Sequence, residues 1–592
     1  MTHSEIHPLP LAREVVRSWA DEDPRHANWP VVYVLDGPPA SRPLGAPRRN
    51  DLYVGESLNA AGRLRQHIDS TRRGHLRTAR VIISETFNKS ACLDLESRLI
   101  ELFSGDGRYT VLNRNIGITN ADYYDRVAYT AQFEEVFEQL RADGLFRRSV
   151  TEIENDDLFK LSPFKALTRD QEVAVEGVLE ALVEDLGAGR PSMTAIQGEP
   201  GTGKTIFAIY LLKLIADVGR LEPDDVIDSD SLLTDYFLGE NRGLLEGLRT
   251  ALVIPQQSLR GSVSKVFAAT PGLKDVAVLT PYQVGESAER FDLLVVDEAH
   301  RLSQRANQPS GVLNRKFSEI TTRLFGTDDK SKTQLDWIRA QSTHQILMLD
   351  PAQSVRPADL PAAQIGALLD EARRSDRHFP LMTQMRVAAG SDYVGHVRRI
   401  LGATPSPGPE RPLSAASLGD YEFRMFDDVA DMHAAIRDRD RDHGLARMIA
   451  GYAWPWRSKR DATAFDIEIG GYRARWNSTP RDWISSAGAL EEVGSIHTVQ
   501  GYDLNYAGVI IGPDLRYDAE DHRLSMDRSS YFDAKGQENN PKLGIVYTDD
   551  DLRLLISNIY AVLMTRGMLG TFVHVVDPPL REHLRRFIPS AP

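Results

Sequence analysis

Short apolar runs alternate with polar ones over the first 120 residues, which predicts a small domain of strands and helices. VVYVL is typical of a strand, and in DLYVG the apolar Leu52 and Val54 alternate with polar or small neighbours, as in a half-buried strand. The helical stretch SLNAAGRLRQH follows, with Ser57 as its predicted cap and with Arg63 and His67 one turn apart on a shared face. The strand ARVIIS and the helix SACLDLESRLIELF complete the α/β ordering.

The pattern changes twice further along the chain. Residues 121–160 are typical of acidic helices, as in AQFEEVFEQL. From Phe164 onward, apolar strand-like runs alternate with helical patterns, which predicts parallel sheets built from βα units; the runs are MTAIQ, ALVIP, VAVLT, FDLLVVD, HQILMLD, AGVIIG and GTFVHVVD. The sequence therefore predicts an α/β protein with a small α/β domain over residues 1–118, an acidic helical connector over 119–163, and two parallel-sheet domains over 164–366 and 367–592.

Composition narrows the class of protein without identifying it. The 592 residues suit roughly three to five domains, and fractions of 42% hydrophobic and 26% charged residues are those of an ordinary soluble protein. The single cysteine, Cys92, excludes an internal disulfide and a cysteine-rich zinc site, which favours a reducing cytoplasm. Nothing at the start resembles a signal peptide, and no apolar run approaches the roughly 20 residues of a membrane helix. We expect no membrane partner.

Charge is unevenly distributed along the chain. The net charge of −14 argues against a generic coat for nucleic acid, because binding to phosphate backbones relies on lysine and arginine. Between Ser41 and Arg80, however, nine arginines face three carboxylates, a net of +6. A solvated basic surface explains such a run as well as a nucleic-acid contact does.

The strongest chemical motif is GEPGTGKT, Gly198 to Thr205, which matches the phosphate-binding pattern G-x-x-x-x-G-K-[ST] between a predicted strand and a predicted helix. Its glycines allow backbone N–H groups to surround phosphates at the start of the helix; they are Gly198, Gly201 and Gly203. Lys204 is placed to reach the β- and γ-phosphates, and Thr205 to bind Mg²⁺. The motif predicts ATP and Mg²⁺ as ligands.

A second element of the same site is FDLLVVDEAH, a buried strand that ends in two carboxylates. Asp297 can hold the Mg²⁺, and Glu298 can orient the water that attacks the γ-phosphate. The four letters DEAH carry little information alone, but they follow a phosphate-binding loop in a chain of alternating strands and helices. Together the two motifs predict ATP hydrolysis.

Further motifs follow one another in an order that resembles a superfamily 1 helicase with two RecA-like domains. They are Gln171 in LTRDQ, VIPQQSLR at residues 253–260, Gln353 in LDPAQ, Arg386 in LMTQMR, Thr498, Gln500, Gly501 and Asp503 in SIHTVQGYD, and Arg566 in YAVLMTRG. The resemblance implies that Gln171 binds adenine, that VIPQQSLR contacts single-stranded nucleic acid, and that Gln353, Gln500 and Gly501 belong to the nucleotide site. It also implies that Arg386 and Arg566 are arginine fingers on the γ-phosphate. Either arginine alone could instead form a surface salt bridge.

Longer stretches sharpen the resemblance. IAGYAWPWRSKRD, DIEIGGYRARWNS, EVGSIHTVQGYDLNYAGVIIGPDL and NIYAVLMTRGMLGTFVHVVD resemble the Schlafen group 3-like DNA/RNA helicase family, which covers about residues 165–580. Asp503 departs from the glutamate that this family more often has. Three tryptophans in these stretches either stack on the bases of a single strand or pack in the core: Trp454, Trp456 and Trp476.

The N-terminal block resembles the GIY-YIG endonuclease family over about residues 30–115. VVY stands in the GIY place and YVG in the YIG place, and the matching residues are Tyr33, Tyr53, Arg63, His67, Glu96 and Asn113. The resemblance implies that Glu96 holds one divalent metal, Mg²⁺ or Mn²⁺, and that Tyr33 is a general base on the attacking water. It further implies that Tyr53, Arg63 and His67 position the phosphate and that Asn113 fixes the geometry. Each residue also has a purely structural interpretation.

These motifs combine into one functional hypothesis. It is an ATP-dependent nuclease-helicase that translocates on nucleic acid, DNA being favoured, and cleaves it by metal-dependent hydrolysis. Anti-phage defence or DNA repair in the cytoplasm is expected from fold-level association only. The alternatives are an ATP-gated nuclease acting on RNA, including transfer RNA, and a nucleic-acid sensor or remodeller whose GIY-YIG domain binds without cleaving. Protein partners are left open.

Overall fold

A computed structural model of the protein describes residues 4–40, 49–70, 73–114, 122–220, 241–306, 308, 310–351, 353, 355–384, 393–404, 410–479, 483–499 and 502–591. The chain divides into two compact units. Unit 1 comprises Met1–Glu176, Ile209–Gly247 and Val263–Val276, and unit 2 comprises Gly177–Ala208, Leu248–Ser262 and Ala277–Pro592.

The N-terminal part of unit 1 is built on a five-stranded sheet. Its strands are β1 Glu5–Pro10, β2 Val31–Gly37, β3 Asn50–Ser57, β4 Thr78–Ile83 and β5 Tyr109–Val111. The strand order is β1-β4-β2-β3-β5, antiparallel throughout except for the parallel pair β3–β5. The accompanying helices are α1 Arg13–Glu22, α2 Ala60–Asp69 and α3 Lys89–Asp106, with a 3₁₀ turn at Pro24–His26.

The start of helix α2 differs from its prediction. Ser57 was expected to cap this helix, but it is the last residue of β3, and the cap is Asn59. The side-chain oxygen of Asn59 accepts a hydrogen bond from Gly62 N at 2.8 Å, which satisfies one of the free N–H groups of the first turn. The helix therefore begins two residues later than the cap preference of serine indicated.

The acidic helical segment packs into the same core as this sheet. Its helices are α4 Arg126–Ala142, α5 Val150–Glu154 and α6 Asp157–Lys160. Val136, Phe137 and Phe146 are buried in one hydrophobic cluster with Val32 of β2 and Leu99 of α3. The acidic residues of AQFEEVFEQL thus accompany apolar residues that pack into this core.

A six-stranded parallel sheet carries the phosphate-binding motif. The strands are β6 Ser192–Gly198, β7 Thr250–Val253, β8 Ala277–Leu279, β9 Phe291–Val296, β10 Ser342–Leu349 and β11 His378–Leu381, in the order β11-β6-β10-β9-β7-β8. The helices of this part of the chain are α7 Arg169–Gly187, α8 Lys204–Gly219, α9 Asn241–Leu245, α10 Gln257–Ala269, α11 Pro281–Glu286, α12 Gly311–Phe325, α13 Gln334–Gln341 and α14 Ala362–Arg374, with a 3₁₀ turn at Ala299–Arg301. Its central strands are apolar on both faces, as is usual for parallel strands.

A seven-stranded sheet forms the C-terminal part of unit 2. The strands of this region are β12 Glu422–Met425, β13 Ala446–Ala450, β14 Ile467–Ile469, β15 Tyr472–Trp476, β16 Glu492–Ser495, β17 Leu504–Ile511, β18 Leu515–Asp518, β19 Arg523–Met526 and β20 Gly567–Val575. The sheet order is β12-β20-β17-β13-β16-β15-β14, parallel except for β14–β15, and β18–β19 form a separate hairpin. The helices are α15 Tyr393–Ile400, α16 Ala415–Leu418, α17 Val429–His443, α18 Ile496–Val499, α19 Asp549–Met564 and α20 Pro578–Leu584, with 3₁₀ turns at Trp483–Ser485 and Arg528–Ser530.

The prediction of an α/β protein with parallel sheets is confirmed. No helix in the part of the chain that the structure describes is long and apolar enough to cross a bilayer.

A buried carboxyl group lies beside the C-terminal sheet. Tyr560 Oη donates a hydrogen bond to Asp514 Oδ1 at 2.6 Å, and Gly512 N donates to Tyr560 Oη at 2.9 Å. Burial raises the pKa of Asp514 to about 7, so the folded protein keeps this group protonated well above the pKa of an exposed aspartate.

This raised pKa predicts a pH-dependent stability. Its contribution is complete below about pH 4 and is lost as the pH rises through about 7, because the unfolded chain releases the proton first. The free energy of unfolding should fall by up to about 1.4 kcal/mol per pH unit in that window. Melting temperatures at pH 5 and pH 7 should therefore differ more for the native protein than for Asp514→Asn, which imitates the protonated form. An equal difference in both would contradict the assignment, and Asp442→Asn, at an exposed position, is the control.

Candidate functional site

The phosphate-binding loop joins the end of β6 to the start of α8. Gly201 and Gly203 have φ angles of 89° and 77°, in the left-handed region that glycine adopts without strain. Lys204 Nζ donates hydrogen bonds to the carbonyl oxygens of Gly198 at 2.7 Å and Glu199 at 2.8 Å, which hold the ammonium within the loop. The first N–H groups of α8 and the lysine together suit an anionic ligand.

A hydroxyl and a carboxylate meet next to this loop. Thr205 Oγ1 donates to Asp297 Oδ2 at 2.7 Å, although the two residues are 92 positions apart in the chain. Burial, followed by the charge of Glu298, raises the pKa of Asp297 above its usual value. Hard oxygen donors of this kind are the ligands that Mg²⁺ prefers, so Thr205 and Asp297 fit the predicted metal.

Glu298 adopts a strained backbone conformation beside that pair. Its φ of 50° lies in the left-handed region, which is uncommon for a residue other than glycine and is found at functional sites. Burial alone would raise the pKa of Glu298, but His300, whose Nε2 lies 3.0 Å from Glu298 Oε2, lowers it. Lys204 and Arg566 act in the same direction. The carboxylate is therefore ionised and can accept a proton or a hydrogen bond from water.

The loop after β10 completes the polar cluster. Gln353 Nε2 donates to Asp350 Oδ2 at 2.8 Å, and the same oxygen lies 3.9 Å from Lys204 Nζ. Because β9, β10 and β6 are neighbours in the sheet, their carboxyl ends bring these loops to one edge, where ligands of open parallel sheets bind.

Arg566, just before β20 of the C-terminal sheet, also acts electrostatically on Glu298. Arg566 is buried, and its Nη1 donates to the carbonyl oxygen of Tyr502 at 3.2 Å. Three predicted residues, Arg386, Gln500 and Gly501, lie outside the described residues. Gln171 belongs to unit 1, where its side-chain oxygen accepts a hydrogen bond from Thr168 N at 3.1 Å.

Arg398 of α15 is a candidate that the sequence reasoning missed. It is buried, and burial lowers its pKa while the charges of Asp350, in the loop after β10, and of Glu199, in the phosphate loop, oppose the shift. Its signal in the sequence is weak, because Arg398 is one of two adjacent arginines in an amphipathic helix. Only the packing of that helix shows which arginine faces inward.

The predicted nucleic-acid segment VIPQQSLR is hydrogen-bonded to the motif SIHTVQGYD within unit 2. Tyr502 Oη donates to the carbonyl oxygen of Ser258, in VIPQQSLR, at 2.9 Å. Of the three tryptophans, Trp476 is fully buried and belongs to the core, whereas Trp454 and Trp456 are half-buried and pack against it. Core packing therefore accounts for Trp476.

A second constellation lies in the N-terminal sheet, where Tyr33 of β2 pairs with Gly55 of β3. A Cβ atom on Gly55 would lie 2.3 Å from Tyr33 Oη, so only glycine lets the tyrosine ring cross the neighbouring strand. Tyr33 Oη lies 2.9 Å from His67 Nε2, and the ring of Tyr53 lies 5.2 Å from that of His67. The two tyrosines and the histidine thus form one cluster.

The remaining predicted residues surround this cluster. Burial raises the pKa of Tyr33 well above its usual value, and the charge of Glu96 acts in the same direction. Arg63 opposes this shift through its positive charge and through a hydrogen bond to the hydroxyl. Asn113 is bonded twice to Val54 of β3, its Oδ1 accepting from Val54 N at 3.1 Å and its Nδ2 donating to Val54 O at 2.8 Å. Asn113 therefore ties the residues after β5 to β3.

Arg73 is a further member that the sequence reasoning did not single out. Its guanidinium carbon lies 3.9 Å from the centre of the Tyr53 ring, and its Nη1 lies 3.3 Å from His67 Nδ1. No group of three or more His, Cys, Asp or Glu side chains among the described residues is arranged to hold a metal.

Comparison with known proteins shows a family match over the larger part of the chain. Residues 191–577 match the Schlafen group 3, DNA/RNA helicase domain. The chain belongs to this helicase family. The predicted helicase resemblance is thereby confirmed, and the family implies ATP hydrolysis, with ATP and usually Mg²⁺ as ligands and nucleic acid as partner. The matched range does not include the residues of the GIY-YIG resemblance, which stays a prediction.

Relatives of this helicase-family chain extend from fungi to bacteria. It is 26% identical over 448 residues to the uncharacterized protein YPL245W of Saccharomyces cerevisiae, covering 71% of this chain and 90% of that protein. It is 23% identical over 324 residues to the ATP-dependent DNA helicase RecG of Mycobacterium tuberculosis, covering 50% of this chain and 41% of RecG. The chain thus matches less than half the length of RecG.

A solved helicase is also similar in part. The crystal structure of the arterivirus nonstructural protein 10 helicase aligns with a TM-score of 0.28 at 12% identity, over 68% of this chain and 64% of that one.

Proposed function

We propose that the chain is an ATP-driven motor on nucleic acid, DNA being favoured, that carries a metal-dependent endonuclease domain. The observation that supports the ATP-driven motor is a cluster of polar residues at one edge of a parallel sheet: Lys204, Thr205, Asp297, Glu298 and Asp350. In this proposal the six-stranded and seven-stranded sheets are the two RecA-like domains.

Each residue of the motor site has a role in the proposal. Lys204 binds the phosphates, Thr205 and Asp297 hold Mg²⁺, and the ionised Glu298 orients the attacking water. The bound Mg²⁺ neutralises charge on the phosphates. Arg566, with Arg386 as a second candidate, stabilises the charge of the transition state.

The nuclease assignment is supported by the cluster around Tyr33. Tyr33 is the proposed general base on water, Arg63, Tyr53 and His67 position the scissile phosphate, and Glu96 holds Mg²⁺ or Mn²⁺. The basic stretch between Ser41 and Arg80 would attract the nucleic-acid backbone. A role in anti-phage defence or DNA repair, in the cytoplasm, is part of the same proposal.

One experiment tests both the proposed motor and the proposed nuclease. Labelled single-stranded DNA, duplex DNA, RNA and transfer RNA are incubated with the protein and Mg²⁺ or Mn²⁺, with and without ATP, alongside Glu96→Ala and Lys204→Ala. Cleavage of DNA that disappears in Glu96→Ala and changes in Lys204→Ala supports the proposal, whereas cleavage of RNA alone favours the RNA nuclease. ATP hydrolysis without any cleavage would leave a motor with a binding domain.

Trp456 offers a test of the nucleic-acid path. The ring centres of Tyr452 and Trp456 lie 6.1 Å apart, and Lys459 Nζ lies 5.6 Å from the centre of the Trp456 ring. Arg457 and Arg460, close to Trp456 in the chain, are exposed. Stacking on a base contributes about 1–3 kcal/mol, so Trp456→Ala should weaken single-strand binding about 5- to 150-fold in fluorescence anisotropy. Tyr124→Ala removes an exposed aromatic ring elsewhere and should bind normally. Unchanged affinity in Trp456→Ala would exclude this contact.

A further inference from the structure

Arg73 is held in one position against two residues of the Tyr33 cluster. Its guanidinium lies over the face of Tyr53, 3.9 Å from the ring centre, a geometry in which cation and ring attract each other. The backbone around it is also fixed, since Arg73 N donates to Ser70 Oγ at 3.3 Å and Leu76 N donates to Arg73 O at 3.0 Å. Arg73 therefore presents its N–H donors from a fixed position.

A neighbour of Arg73 is His67, and the chemistry of the pair determines where the histidine proton sits. A guanidinium has only donors, so Arg73 Nη1, 3.3 Å from His67 Nδ1, requires Nδ1 to accept. A neutral imidazole carries one proton, which must then be on Nε2. Nε2 lies 2.9 Å from Tyr33 Oη and consequently donates to it.

The surroundings keep the ring neutral. Burial, then the charges of Arg73 and Arg63, lowers the pKa of His67 to about 3. The titratable and charged groups that face the ring are Tyr33 from β2, Tyr53 from β3, Arg63 from the same helix, and Arg73 from the turn after it. At neutral pH the ring therefore has one N–H to give.

We propose that Arg73 is a positioning residue that fixes His67 in the Nε2–H tautomer, so that Tyr33 accepts a hydrogen bond from the histidine. Arg63 supplies a second hydrogen bond to the same hydroxyl. The phenolic oxygen then accepts from two donors, which stabilises its deprotonated form, and the proton of the hydroxyl leaves to solvent and not to His67. This consequence for cleavage rests on the proposed nuclease function, whereas the tautomer does not.

The tautomer can be measured without any cleavage. The full-length protein is labelled with ¹⁵N-histidine, and the ring of His67 is identified by the signals lost in His67→Gln. Long-range ¹H–¹⁵N correlation should show protonated Nε2 and unprotonated Nδ1. In Arg73→Met, which retains a side chain that packs on Tyr53 but has no donor, the Nδ1–H form should become populated and the pKa of His67 should rise. Arg73→Lys should restore the Nε2–H form.

Arg65→Met removes an exposed arginine of the same helix and should leave the His67 signals unchanged. An Nδ1–H tautomer in the native protein, or an unchanged tautomer in Arg73→Met, would overturn the proposal. The expected tautomer in a protein that cleaves nothing would overturn the nuclease function and leave the role of Arg73 intact.

Cleavage supplies a second readout where it is observed. Arg73→Met should lower kcat about 100-fold, the lower end of what acid–base catalysis contributes, and move the pH–rate profile to higher pH because Tyr33 loses a donor. KM should change little, and Arg73→Lys should recover most of the rate. A rate within twofold of the native value would count against the assignment.

Discussion

Lys204→Ala is expected to reduce ATP hydrolysis about 10²- to 10³-fold at saturating single-stranded nucleic acid, the usual cost of removing one group that stabilises a developing charge. The ammonium is held within the loop by the carbonyl oxygens of Gly198 and Glu199, beside Thr205 and Asp297. Alanine leaves the backbone of the loop intact and removes the charge that would meet the β- and γ-phosphates. Release of inorganic phosphate measures the rate.

Two companion variants make the result specific. Glu298→Gln keeps the shape of the side chain but cannot accept a proton, so it should retain ATP binding and lose hydrolysis. Lys330→Ala removes an exposed lysine of unit 2 and should hydrolyse ATP normally. If Lys204→Ala kept more than a tenth of the native rate, the loop would not be the catalytic phosphate site.

Glu96→Gln is expected to abolish nucleic-acid cleavage, by about 10³-fold or more, while ATP hydrolysis is retained. A metal on the scissile phosphate contributes several kcal/mol to transition-state stabilisation, and about 4 kcal/mol corresponds to a factor of 10³. Glu96 is the carboxylate whose charge acts on the buried Tyr33. Gel analysis of end-labelled substrates measures the loss, with ATP hydrolysis followed in the same samples.

Glu85→Gln is the matched control, because it removes an exposed carboxylate of the same domain and should leave cleavage unchanged. Thermal unfolding of both variants checks that the domain remains folded. Cleavage that survives in Glu96→Gln would place the nuclease metal elsewhere, and the cluster around Tyr33 would then be structural.

The two sites differ in how much of their geometry is local. The phosphate loop is contiguous, and its glycines occupy left-handed conformations at Gly201 and Gly203 that the sequence pattern predicts directly. The six predicted residues of the N-terminal sheet come from β2, β3, α2, α3 and the segment after β5, so they could be matched in order but not placed by sequence alone. Gly55 is an example of this dependence on tertiary structure, since its missing side chain on β3 leaves room for the Tyr33 ring from the neighbouring strand β2.

One departure from prediction and one alternative that the sequence left open follow the same logic. Ser57 and Asn59 are both good caps, and the length of β3 decides between them. Trp476 was expected either to stack on bases or to pack in the core, and its place on β15 buries it in the core. In each case a local preference was compatible with two outcomes, and packing selected one.

The sequence by itself determined the α/β class, the helicase family and the phosphate loop, because strand periodicity and contiguous motifs are properties of neighbouring residues. The tertiary structure decided which distant side chains meet. Sheet order places Asp297 and Asp350 beside the loop of Lys204, and helix packing turns Arg398 inward. The turn after α2 sets Arg73 against His67. These contacts depend on the order of strands and the faces of helices, which no short stretch of sequence encodes.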